Sequence, residues 1–138
     1  MHSYRLFTLV CLLTCSALYI SCGDNGPTRV ESITLALDDS GEKGDEVEGL
    51  KPNDNPFHAI IHLNNMGSGE TVRMDFIAIG ADSGKDLTVL TQGYEVGGIN
   101  NQVDFTISLP RPWPVGPYRI DAYLHDTVSM TKQFNVTE

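Results

Sequence analysis

From residue 30 onward the chain alternates between apolar and polar side chains. Ile33, Leu35 and Leu37 fall on one side of an extended segment, and Ser32, Thr34 and Ala36 on the other. A period of two predicts a strand with one buried face, because successive side chains of an extended backbone point in opposite directions. The pattern recurs at Phe57, Ala59, Ile61 and Leu63, at Val72, Met74, Phe76 and Ala78, and at Val103, Phe105, Ile107 and Leu109. Tyr118, Ile120, Ala122 and Leu124 repeat it, and Phe134 and Val136 close the series. Lys132 breaks the apolar register of the last run, which predicts a bulge or a strand end reaching solvent. Residues 87–96, LTVLTQGYEV, predict one or two short, irregular strands. KPNDNP, NMGSGET, ADSGKD and GGINNQ are turn clusters between runs. DDSGEKGDEVEG, residues 38–49, is acidic and nearly free of apolar side chains, so it predicts a solvated loop; its spacing does not fit a helix–loop–helix calcium site. About seven strands, no helical periodicity and turns every ~8–12 residues predict an all-β antiparallel sandwich or barrel.

The first thirty residues follow another rule. Leu6 to Ile20 is a long apolar stretch behind a single fixed side-chain charge, Arg5. It has no polar face and is shorter than the ~20 residues that span a bilayer, which predicts a signal peptide. Cys11 and Cys15 lie inside the run, Cys22 ends it, and no cysteine follows. Once the leader is removed, an exported domain keeps one thiol and no possible intrachain disulfide. LYISCG, residues 18–23, resembles the lipobox of bacterial lipoproteins. Ser21 and Ile20 fit that pattern, while Tyr19 stands where Leu is favoured. The resemblance implies cleavage before Cys22 and a diacylglyceryl thioether on its sulfur. A cut before Cys15, beside Thr14, fits less well, and ordinary cleavage would leave a secreted soluble domain. Gly23 after the cysteine, where Asp would favour the inner membrane, implies the outer membrane. Two acyl chains hold a protein stably at a bilayer, at ~0.8 kcal/mol per buried methylene. The predicted organisation is a leader at 1–21, the lipidated Cys22 with a short linker at 22–29, and one domain at 30–138.

Charge narrows the partners. The chain carries −9 at neutral pH and becomes more acidic when Arg5 leaves with the leader. A strongly acidic domain repels nucleic acid and anionic lipid surfaces. The membrane contact expected is therefore the N-terminal lipid, and nucleic acid is not an expected partner.

LPRPWPVGPYRIDAYLHDTVSMTKQFNV, residues 109–136, resembles the closing strands of bacterial immunoglobulin-like domains: a Pro/Trp corner, a Gly, an alternating Tyr-x-Ile-x-Ala-x-Leu strand, and a hairpin into Phe-x-Val. The resemblance implies an immunoglobulin-like β-sandwich in which Tyr118 returns its hydroxyl to a nearby backbone group. Trp113 has two readings, a plug at the end of the core or an exposed anchor for a partner. Arg111-Pro112-Trp113 also occurs in chagasin-type inhibitors of cysteine proteases, there between the last two strands and beside an Asn-Pro-Thr-Thr-Gly loop. Here it precedes the penultimate strand, and Asn55-Pro56 is followed by Phe57.

No catalytic motif is present: there is no Gly-x-Ser-x-Gly, His-Glu-x-x-His or phosphate-cradling Gly-Lys pair. His58 and His62 share a strand face about 13 Å apart and cannot chelate one ion unaided, so they are expected on the surface without a metal. The sequence thus predicts a non-enzymatic, lipid-anchored envelope protein with no cofactor, whose domain binds another envelope protein or a polysaccharide. The candidate contacts are Arg111, Trp113 and Tyr123, and a sheet surface bearing His58, His62, Ile77 and Ile79. A protease inhibitor and a structural subunit of a secretion or surface assembly are the alternatives.

Overall fold

The computed structural model describes residues 26–65, 69–96 and 101–138. Eight strands follow one another: β1 (Arg29–Asp39), β2 (Glu42–Val47), β3 (Phe57–Asn64), β4 (Thr71–Asp82), β5 (Lys85–Glu95), β6 (Gln102–Ile107), β7 (Gly116–Leu124) and β8 (Thr127–Val136). They form two four-stranded sheets, ordered β2-β1-β3-β6 and β5-β4-β7-β8, and every pairing within a sheet is antiparallel. Among the described residues there is no helix. The all-β antiparallel sandwich expected from the alternation is what forms.

The alternating side chains build the core. Ile33, Leu35, Phe57, Ala59, Ile61 and Leu63 of the first sheet meet Val72, Met74, Phe76, Ile120, Ala122 and Phe134 of the second, all buried. Val103, Phe105 and Ile107 extend the inner face to the β6 edge. Burying each large aliphatic or aromatic side chain contributes about 1.5–3 kcal/mol before chain entropy is subtracted. No disulfide helps. Ile120, two residues after Tyr118, stands where antibody domains carry an inter-sheet cysteine, and it is fully buried. An aromatic cluster sits beside it: Phe76 stacks on Tyr118 at 5.3 Å between centroids, and Phe57 and Phe76 each meet Trp113 edge-on at 5.4 Å. Such pairs add ~0.5–1.5 kcal/mol beyond area burial.

Three features refine the expectation. Residues 42–47, read as loop, form β2. Ser40 and Gly41 both take positive φ, 59° and 92°, so a two-residue turn reverses the chain, and Asp38 accepts the Gly41 N–H at 3.1 Å. β2 is a largely exposed edge strand, so nothing selects for alternation there. Residues 85–95 form one strand, β5, and its irregularity is a bulge. Phe76 pairs with Leu90 and Ile77 with Thr88, which leaves Val89 as the extra residue. The bulge on β8 lies between Val128 and Met130 rather than at Lys132. Lys132 instead faces inward on an edge strand and reaches Glu48 with its Nζ at 3.0 Å. A lysine placed so discourages edge-to-edge pairing.

The topology gives the sandwich two distinct ends. Arg29 pairs with Asn64, so the chain joins the domain at the end that holds the β3–β4, β5–β6 and β7–β8 connections. The opposite end collects the β1–β2 and β4–β5 hairpins, the 48–56 segment and the 108–115 corner.

Candidate functional site

The far end is organised by one asparagine. Asn55 donates its Nδ2 to the Leu109 carbonyl at 2.7 Å and the Arg111 carbonyl at 3.0 Å, and its Oδ1 accepts the Leu109 N–H at 3.1 Å. The 51–56 turn and the 109–111 corner are thereby stapled across the chain. Trp113 completes the join: its backbone N–H donates to Pro52 O at 2.9 Å and its Nε1 to Asp54 O at 2.8 Å. Tyr118 donates its hydroxyl to Pro114 O at 2.8 Å, the corner contact that the sequence implied. Burial raises the Tyr118 pKa, and the nearby positive charge of Arg111 opposes the shift.

These joins frame a cleft of about 310 Å³ lined by Ala78, Ala81, Leu87, Val89, Leu109, Arg111, Trp113, Pro114 and Tyr118. Its floor is aromatic and its walls are aliphatic. The indole N–H and the phenol O–H are already committed to backbone carbonyls. Arg111 is the one charged residue on the lining, and among the described residues its guanidinium has no hydrogen-bond or ion-pair partner. It also lines a neighbouring depression with Pro52, Asn53 and Asn55.

The candidate residues divide among separate places. Arg111 and Trp113 come together at the corner. Trp113 is only 2 % exposed and plugs the core, so it meets the cleft as part of a buried floor and does not project as an anchor; the Asn55 staple and the bond to Asp54 O hold it inward. Tyr123 lies on the outer face of the second sheet toward the other end, with the Arg73 guanidinium 3.8 Å above its ring. Burial raises its pKa first, and Asp75 adds to the shift. On that face Asp75 and Asp121 stand directly opposite each other. Thr91 bonds Asp75 at 2.8 Å, and Thr131 and Arg119 bond Asp121 at 2.7 and 3.1 Å. Arg119 also holds Asp86, whose pKa falls chiefly through that contact.

His58 is not the surface histidine expected. It is 2 % exposed, with Nδ1 2.9 Å from Asp104 on β6 and Nε2 3.1 Å from Asp38 on β1. A neutral imidazole has one N–H, so two carboxylate contacts call for the imidazolium. Burial works against that charge, but the bonds and charges of Asp104 and Asp38 together outweigh it and hold the pKa above 6.5. His62 is half-buried, with Nε2 3.3 Å from Thr34 Oγ1. The shared surface of His58, His62, Ile77 and Ile79 does not form: the histidines sit on β3 in one sheet and the isoleucines on β4 in the other. The chain crosses from one sheet to the other between β3 and β4. Sequence reading missed Asn55 and the Asp38–His58–Asp104 clamp, since their partners lie up to 56 residues away and no local spacing marks them. Cys22 and the leader fall outside the described residues.

No protein-family model matches the chain, and no curated protein matches it in sequence. Among solved structures it is similar to an immunoglobulin-like protein from Pseudomonas aeruginosa, with 13% identity and a TM-score of 0.57. The match covers 83% of this chain and 100% of that one. At such low identity the likeness shows fold alone, and with the two-sheet topology it establishes an immunoglobulin-like β-sandwich.

Proposed function

We propose that the protein is a non-enzymatic, lipid-anchored module of the cell envelope that binds another envelope protein through the corner end of its sandwich. The observation that carries this reading is the Arg111 cleft, placed at the end opposite to where the chain joins the domain. A lipid on Cys22, followed by a linker over residues 22–29, turns that end away from the membrane. The lipobox-like LYISCG and the absence of any cysteine after Cys22 support the tether, and Gly23 favours the outer membrane. A protein suits the cleft better than a polysaccharide, because the walls are aliphatic and the large aromatic ring beneath them is buried. Burial of Trp113 also removes the surface that a protease-docking role for it requires.

Two experiments test the reading. Cys22→Ser moves the protein from the membrane fraction to the soluble fraction; unchanged sedimentation refutes the tether. A photo-reactive side chain at Leu87, on the cleft, is compared with one at Val128, at the other end; the two positions are 47% and 48% exposed. A specific envelope-protein adduct from position 87 and none from 128 supports the reading. Equal adducts from both positions refute it, and a stoichiometric assembly held through position 128 favours a structural subunit.

A further inference from the structure

The chemistry of the cleft restricts what fills it. Its aromatic polar atoms are occupied by Asp54 and Pro114 carbonyls, so the floor offers a ligand apolar contact and no spare side-chain hydrogen. The remaining side-chain donor on the lining is Arg111, whose guanidinium has no partner among the described residues in a protein of net charge −9. Elsewhere the described cations are mostly engaged: Arg29 with Glu31, Lys43 with Glu46, Arg119 with Asp86 and Asp121, Lys132 with Glu48, and Arg73 over Tyr123. Lys51 and Lys85 have no side-chain partner among the described residues, and neither lies on the lining of this cleft. A guanidinium presents its donors as a planar fork that matches a carboxylate bidentately. A cleft of about 310 Å³ holds a few apolar side chains and not a folded element.

We infer that the cleft captures a protein partner by an apolar side chain at its C-terminus, with the terminal carboxylate gripped by Arg111. The inference rests on the binding role proposed above and names the chemistry of the group bound. Apolar burial against Leu87, Val89 and Leu109 supplies the non-directional part of the affinity, and the carboxylate–guanidinium pair supplies direction.

The chain has a single tryptophan, Trp113, and it lies on the cleft floor, so its emission reports occupancy. The full-length protein in detergent-free lipid nanodiscs is titrated with acetyl-Gly-Phe-Leu bearing either a free carboxylate or a carboxamide. The expected result is a change in Trp113 emission with the free acid bound about tenfold more tightly, the size of one charge-assisted hydrogen bond. In Arg111→Gln, which removes no side-chain hydrogen bond or ion pair among the described residues, that preference falls to about one while circular dichroism stays that of the wild type. Equal binding of acid and amide, a preference that survives Arg111→Gln, or no emission change up to about 5 mM peptide overturns the inference. An adduct from position 87 that is insensitive to Arg111→Gln removes the inference and leaves the binding role standing. An acid preference without any adduct removes the binding role instead.

Discussion

Two charged side chains, His58 and Arg111, received opposite treatment in this domain. His58 is enclosed, with a carboxylate on each ring nitrogen, and it ties β3 to β1 on one side and β6 on the other. Arg111 lines an apolar cleft and has no hydrogen-bond or ion-pair partner among the described residues. A charge paired on both sides is committed to the fold, because removing it leaves its partners uncompensated. A charge left unpaired on an apolar lining adds little to stability and is available to a ligand. The contrast separates what holds the sandwich together from what it presents.

Substitutions sharpen this contrast in order of size. Trp113→Ala deletes the plug shared by Phe57 and Phe76 along with the bond to Asp54 O, and should cost about 3–5 kcal/mol in urea denaturation. Domains of this class are stable by only ~5–15 kcal/mol, so much of the margin goes with it. Asn55→Ala frees three backbone groups at the corner and should cost about 1–3 kcal/mol, measured the same way. It should also weaken partner binding, since the staple positions Arg111.

His58→Gln should destabilise the domain at pH 6 more than at pH 8. The folded-state pKa of His58 lies above 6.5, so its contribution is fully present below 6.5 and is lost as pH rises through the folded value. Urea midpoints should therefore fall for the wild type across that upward window and stay flatter for the variant. Parallel curves for the two proteins would mean that His58 is not held as an imidazolium. Arg111→Gln is the smallest expected change, within about 0.5 kcal/mol.

The same contrast explains which features were legible in the sequence. Alternation located the strands whose inner face is apolar, and burial follows a period of two most cleanly on Val103 to Ile107. β3 is buried along nearly its whole length, yet its inner set Phe57 to Leu63 still alternates with His58, Ile60 and His62. It could not locate β2, which is solvated on most positions of both faces. It left β5 open between one strand and two, because the Val89 bulge reverses the alternation partway along. The corner tyrosine was readable because its acceptor, Pro114, lies four residues upstream. Asn55 sat within a recognisable turn cluster, but its partners come from the far side of the chain. The pair of histidines looked equivalent on one strand face, and only the register of β1 and β6 around β3 gave His58 two carboxylates and left His62 beside Thr34. The burial of Trp113 follows from the same long-range joins.

The proposed role of Arg111 is to meet a partner protein and not to hold the fold. It is tested most directly by measuring, for Arg111→Gln, the yield of envelope-protein adduct from the photo-reactive position 87 alongside the urea midpoint. The prediction is a midpoint equal to that of the wild type and an adduct that is lost. An adduct of undiminished yield, or a midpoint that falls as far as it does for Asn55→Ala, would contradict it.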